Sequence, residues 1–149
     1  VKLVDAGVIN LCAAGDTMLG IFMGCEYKDS LGKPTVSPFW PASTSATDIV
    51  AYVIDDPNTV FEAVYANPGT AGTDSVQTAV GERCKLKVHS TVGSTSTGLS
   101  TEYLDVINDA GEFQIVGFSM YPGDSLTDAY VVAKVRMNMQ AFHYPTAAV

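Results

Sequence analysis

Charged side chains are scarce in this sequence, and basic ones most of all. Asp, Glu, Lys and Arg make up 16% of the 149 residues, against roughly a quarter in an ordinary soluble domain. Lys and Arg together number 8, the net charge is -8, and Arg83, Lys85 and Lys87 form the one basic cluster. Nucleic acids and anionic membranes need a dense basic patch, so neither is expected as a partner. With so little charge to cover the surface, we expect another protein chain to cover part of it.

Cysteine and histidine are few as well. The chain has three cysteines, Cys12, Cys25 and Cys84. Their odd number and the lack of a C-x-x-C spacing argue against a disulfide framework and against a zinc site. We therefore expect small buried side chains with free thiols, a state that suits a reducing compartment. The histidines are His89 and His143, and no G-x-S-x-G motif is present, so no hydrolase triad is predicted.

The acidic residues do not form an evident catalytic or metal-binding pair. Asp55 and Asp56 are adjacent and belong to a turn, whereas Glu26, Glu62 and Glu102 lie in different predicted strands, so that their convergence stays open. A further loop holds Asp124 and Asp128, whose oxygens could bind Ca²⁺, but the EF-hand pattern is absent and we interpret both as turn residues. The segment GSTSTG at 93–98 lacks the lysine of a phosphate-binding loop. The chain is therefore predicted to have no catalytic residues, metal or cofactor, and not to be an enzyme.

Long hydrophobic runs are also missing. No segment approaches the ~20 apolar residues that span a bilayer, and the apolar stretch 18–25 is short and broken by Gly20 and Gly24. The first residues lack the basic region and apolar run of a secretory signal, so none is expected.

Alternation with a period of two residues is what the sequence has in abundance. One parity of residues 129–142 is apolar, and the other holds the polar residues Lys134, Arg136, Asn138 and Gln140. This pattern is typical of a strand with one buried and one solvated face. The apolar parity is Ala129, Val131, Ala133, Val135, Met137, Met139 and Ala141. Met137 and Met139 are alternatively suited to a protein contact.

Further strands are predicted at turn-bounded intervals: 18–28, 35–39, 49–54, 59–65, 83–89, 103–107 and 113–121. Residues 49–54 are apolar on both parities and predict a central strand covered on two sides. The turn 55–58 predicts that they form a hairpin with 59–65. Residues 67–73 and 90–100 are rich in small and polar residues and are expected to be surface loops.

These patterns predict an all-β fold, a single β-barrel or β-sandwich domain of antiparallel strands with extended terminal arms. The boundaries are an N-terminal arm at 1–10, the β domain at 11–143 and a C-terminal tail at 144–149. Trp40, between Pro38 and Pro41, is predicted to close one end of the barrel. An alternative role for Trp40 is sugar stacking, together with Tyr27, Phe39 and Tyr52, because rings stack on sugars.

Six segments spread over most of the chain carry a family resemblance. They read IFMGCEY at 21–27, SPFWPA at 37–42, VAYVIDDP at 50–57, VF at 60–61, GSTSTGLS at 93–100 and DAYVVAKVRMN at 128–138. In this order they resemble a family of structural proteins of tailed-phage heads. The segment GERCK at 81–85 departs from the family in being more basic.

The resemblance implies a capsid decoration or cement protein without enzymatic activity. Its expected partner is the phage major capsid protein, and its copies are expected to form a homo-oligomer or to bind the lattice side by side. The expected location is the virion head, after synthesis in the host cytoplasm. The alternative is a receptor- or glycan-binding β module of a phage fibre or tail. The candidate interface residues are Val1, Lys2, Leu3, Val4, Phe39, Trp40, Met137, Met139 and Tyr144.

Overall fold

A computed structural model describes residues 1–4, 7–41, 44–66, 78–87, 100–107 and 111–138. The regular elements of these residues are strands arranged in three sheets, so the all-β prediction is confirmed. In chain order they are β1 (Lys2–Leu3), β2 (Ile9–Asn10), β3 (Ile21–Lys28), β4 (Pro34–Ser37), β5 (Thr47–Ile54), β6 (Val60–Ala66), β7 (Arg83–Lys87), β8 (Tyr103–Ile107), β9 (Phe113–Ser119) and β10 (Tyr130–Met137). Among the described residues, no helix combines the length and hydropathy of a membrane span.

The last five strands close a barrel in the order β10-β6-β8-β7-β9. The neighbouring strands run antiparallel, except that β6 and β8 are parallel where Tyr65 faces Leu104. This parallel pair adds one exception to the predicted antiparallel arrangement. Closure leaves these strands without an open edge.

The alternation predicted in the last strand is confirmed by the barrel core. Val131, Ala133, Val135 and Met137 of β10 point inward and are buried, because successive side chains of a strand face opposite sides. They pack in one cluster with buried residues of the other barrel strands: Tyr65, Cys84, Leu104, Phe113 and Ile115.

A smaller sheet has the order β4-β3-β5, and it corrects two predictions. Strand β5 was predicted to be central and covered, but it lies at an edge, where Ile49 is 53% and Val50 is 51% exposed. The predicted hairpin of β5 with β6 is also wrong, since β5 pairs with β3 whereas β6 pairs with β10 and β8. The turn itself is present, with the Thr59 amide donating to the Asp56 carbonyl at 3.1 Å. It therefore joins two different sheets.

The N-terminal residues, expected to be an extended arm, pair with one another. Strands β1 and β2 form a two-stranded antiparallel ladder, closed by a 2.8 Å hydrogen bond from the Val4 amide to the Val8 carbonyl. The Val1 ammonium group donates to the Gly20 carbonyl at 2.8 Å, and Lys2 Nζ lies 2.8 Å from Asp16 Oδ2. This hairpin is therefore attached to the segment that leads into β3.

Several predictions fall outside the described residues. These are the loop 67–73, nearly all of the loop 90–100, both histidines, Met139, Tyr144 and the tail 144–149.

Candidate interaction surface

One face of the three-stranded sheet is apolar and exposed. Glu26 in the middle of β3 is paired with Val36 of β4 on one side and with Val50 of β5 on the other. Directly paired residues project from the same face of a sheet, so these three side chains form a row. Val36 is 76% exposed, and Tyr52, two residues after Val50, is 49% exposed. We call these four residues, Val36, Glu26, Val50 and Tyr52, the outer face.

The opposite face of the same sheet is covered. Cys25 is paired with Ser37 and with Ala51, and Cys25 and Ser37 are both buried. Trp40, predicted to close one end of the barrel, instead packs edge-on against the buried Tyr27 of β3, with 5.5 Å between ring centroids. Trp40 remains 44% exposed. The middle of this face, at Cys25 and Ser37, is therefore covered within the chain, whereas the outer face has no such cover among the described residues.

Two polar contacts organise the outer face. The Tyr52 hydroxyl donates to Glu26 Oε2 at 3.0 Å, and this hydrogen bond, together with the charge of the carboxylate, raises the pKa of the tyrosine. At the start of β5, Lys28 Nζ lies 2.6 Å from Asp48 Oδ2, and the hydrogen bond to Asp48 raises the pKa of Lys28. Both contacts are exposed to solvent, so they orient the side chains more than they stabilise the fold.

Asp48 marks an irregularity in the ladder. Its φ of 52° lies in the left-handed region, which Asp tolerates better than most residues. The register between β3 and β5 shifts here, since Glu26 faces Val50 whereas Lys28 faces Thr47. Such a bulge increases the local twist at the beginning of β5. A second register shift, between Phe22 and Gly24, lies towards the other end of the ladder, where β3 carries the extra residue.

The predicted interface residues do not form one surface. Val1 to Val4 belong to the N-terminal hairpin, where Leu3 and Val4 are exposed while Val1 and Lys2 are partly buried. Phe39 is partly buried beside the covered face, and its carbonyl accepts a hydrogen bond from Ser37 Oγ. Met137 is 3% exposed within the barrel core, so its assignment to a surface contact is wrong and its alternative assignment to the buried face is right.

Sequence reasoning missed the outer face itself. The signal was the segment 49–54, whose apolar residues on both parities were interpreted as burial on both sides. An edge strand that contacts a partner has the same pattern, because the partner covers the apolar side chains that the chain itself leaves exposed.

Two of the carboxylates whose convergence was left open, Glu26 and Glu62, lie on different sheets. Glu26 lies on the three-stranded sheet, whereas Glu62 lies on the barrel strand β6, where it accepts hydrogen bonds from the Ser119 and Tyr121 hydroxyls, the latter at 2.5 Å. These bonds lower the pKa of Glu62. In the ranges that the structure covers, no group of three His, Cys, Asp or Glu side chains is placed to hold a metal ion.

The proposed Ca²⁺ ligands act as turn residues, as interpreted. Asp124 Oδ2 accepts the Tyr121 amide at 3.2 Å, and Asp128 Oδ2 accepts the Ser125 amide at 2.9 Å. Such local bonds are the ordinary use of Asp in a turn.

One buried carboxylate was not foreseen. Glu112 is 1% exposed. Its carboxylate accepts hydrogen bonds from the backbone amide of Gly15, which precedes β3, and from that of Leu86 in β7, the latter at 3.0 Å. A buried carboxylate needs such donors. Glu112 thereby joins the N-terminal segment to the barrel, and its bonds indicate a structural role.

The three thiols are expected to be unreactive in the native protein. Cys12, Cys25 and Cys84 are free and buried, as the sequence predicts. Burial raises the pKa of all three, that of Cys84 to about 12, and the thiolate is the reactive form. A chromogenic thiol reagent at neutral pH should therefore release its dye only after denaturant is added, and then from all three thiols. Rapid reaction of any thiol in native protein would contradict this burial.

No protein-family model matches the chain, and neither a curated protein nor a solved structure matches it significantly.

Proposed function

We propose that this chain is a virion structural protein that decorates and stabilises a phage head through protein-protein contacts. The observation that carries the proposal is the outer face, where Val36, Val50 and Tyr52 are each at least 49% exposed in a chain with little charge. The order of the six segments supports the same assignment. In this proposal the partner is the major capsid protein, the copies are bound to the lattice or to one another, and synthesis takes place in the host cytoplasm.

The energetics of apolar exposure favour a binding role. Burial of apolar surface is worth roughly 25 cal/mol per Å², so a small face gives a weak contact for one copy. Many copies on a symmetric lattice make the sum of weak contacts effective. A protein that binds only the assembled lattice also stabilises that lattice by mass action.

A glycan-binding module of a fibre or tail is the second candidate. Trp40 favours it, because its ring is 44% exposed beside Tyr27 and offers a surface for sugar stacking. Capture of defined sugars on a glycan array, lost on Trp40→Ala, supports this candidate, and an array without specific signals removes it.

The position of the chain on purified particles tests the first candidate. Heads from a phage that encodes the chain are analysed by quantitative mass spectrometry and by cryo-electron microscopy. We expect a copy number proportional to that of the major capsid protein and density on the outside of the shell. Recombinant chain should also cosediment with heads stripped of it, but not with unassembled capsid subunits. Density confined to the tail overturns the assignment, as does failure of the recombinant chain to cosediment with stripped heads.

A further inference from the structure

The two edges of the three-stranded sheet are unequal. Strand β4 has four residues and starts with Pro34, and both short length and proline are common means of blocking unwanted strand pairing. Strand β5 has eight residues and contains no proline. Among the described residues, no strand pairs with the outer edge of β5. The bulge at Asp48 lies at the start of β5, and the second register shift of the ladder has its extra residue in β3, so most of the β5 edge remains suited to pairing.

The side chains of β5 are apolar on both faces, as is typical of a strand that has neighbours on both sides. Val50 and Tyr52 are 51% and 49% exposed on the outer face, and Ile49, on the other parity, is 53% exposed. A strand added at this edge would bury apolar atoms on both faces of the sheet. In such strand addition, main-chain hydrogen bonds give affinity, and alternate side chains give specificity.

The charges at the two ends of β5 decide which partner fits. Asp48 is its second residue, and Asp55 and Asp56 follow its last. Lys28 pairs with Asp48, but the Asp48 side chain stays 67% exposed, so its carboxylate can still accept a second cation. A second copy of this strand, in register, would place carboxylate near carboxylate in either direction, and each copy carries a net charge of -8. Charge complementarity therefore favours a basic partner over a second copy.

We propose that the outer edge of β5 binds an extended segment of another protein, apolar and β-branched in its middle and basic at both ends. At ~3.3 Å per residue, Asp48 and Asp55 are separated by roughly 23 Å along the strand. The basic residues of the partner segment are spaced to match. This inference rests on the proposed function in that it names the contact and chemistry by which the chain binds the capsid protein.

A synthetic peptide tests the edge directly. The probe has alternating Val and Thr between a lysine at each end and carries a fluorophore, and its binding to the full chain is followed by anisotropy. We expect saturable binding that weakens as ionic strength rises from about 0.05 to 0.5 M. The same peptide with N-methylated alternate amides, or with glutamate at both ends, should bind roughly tenfold more weakly or not at all. Equal binding of either control peptide overturns the proposal, as does failure of the lysine peptide to bind.

Two valine variants locate the binding site. Val50→Lys places a charge on the edge, while Val60→Lys places the same charge on barrel strand β6, where Val60 is equally exposed at 52%. We expect Val50→Lys alone to weaken peptide binding by roughly tenfold, with the circular dichroism spectrum of both variants unchanged. Equal loss in both variants overturns the site. A concentration-dependent dimer that Val50→Lys dissociates also overturns the proposal, since the occupant is then a second copy.

The two proposals fail in different ways. Peptide binding at β5 by a chain that is absent from heads removes the capsid function but leaves the edge site. If the wild-type chain does not bind the peptide and the Val50→Lys variant occupies heads as fully as the wild type, the edge site is removed but the capsid function is left.

Discussion

Substitution of Gly111 by alanine is expected to lower the free energy of unfolding by about 3 kcal/mol, at the upper end of what overpacking usually costs. A Cβ at this position would lie 2.6 Å from both the backbone nitrogen and the carbonyl oxygen of Cys84. Those atoms belong to β7, which pairs with β8 and with β9, so the barrel holds them in place. The Gly111 carbonyl also accepts a hydrogen bond from Asn138 Nδ2 at 3.2 Å, which restricts its own movement. Chemical denaturation followed by circular dichroism measures the loss.

Gly117 supplies a matched control in the same barrel. It lies in β9, and a Cβ there would meet no atom within 4 Å. Gly117→Ala should leave stability unchanged or raise it by about 0.4–1 kcal/mol, because alanine reduces the freedom of the unfolded chain. Equal losses at the two glycines would show that the close approach of Gly111 to Cys84 is not the cause.

Replacement of Glu112 is the second change with a large expected effect. Glu112→Ala leaves the Gly15 and Leu86 amides without their buried acceptor. Hydrogen bonds to a charged group contribute roughly 1.5–3 kcal/mol each, so we expect a loss of about 3–5 kcal/mol in unfolding free energy. Glu112→Gln keeps one acceptor but directs an amide donor towards a backbone donor, and a loss of about 2–3 kcal/mol is expected.

Hydrogen exchange separates this effect from a general loss of stability. Because Glu112 joins two parts of the chain, its replacement should increase exchange at the Gly15 and Leu86 amides more than at the β10 amides. Glu82→Gln is the control, since Glu82 is exposed and lies in the turn before β7. Unchanged protection at Gly15 and Leu86 in Glu112→Gln would contradict the role assigned to this carboxylate.

The sequence predicts the barrel strands better than their partners. In β10 the apolar residues Val131, Ala133 and Val135 share one parity, while Lys134 and Arg136 are on the other, and this determines which face is buried because a strand has only two faces. The pairing of β6 with β10 and β8 is different, since it depends on contacts far apart in the chain. The local turn at 55–58 favoured a hairpin, but a turn changes the direction of the chain without choosing the sheet that the next strand joins.

The surface was harder to predict than the core. Val50 and Tyr52 are apolar residues of an edge strand, and composition alone does not distinguish burial within the chain from burial by a partner. Glu112 gave no signal in the sequence, because a buried carboxylate is recognised by its donors, and the donors come from Gly15 and Leu86. The Met137 side chain followed the period-2 rule into the core, which outweighed the general frequency of methionine at interfaces.

The order of strands in the barrel has a consequence for how the chain reaches its native state. The first barrel strand, β6, pairs with the last one, β10. Partners such as Val60 and Arg136 are therefore separated by most of the barrel sequence and must come together before this pair can form. Closing so long a loop before any contact rewards it makes folding slow. Until the ribosome has delivered β10, strands β6 and β9 each have an unpaired edge, and chaperone binding during synthesis is the expected protection against misassembly.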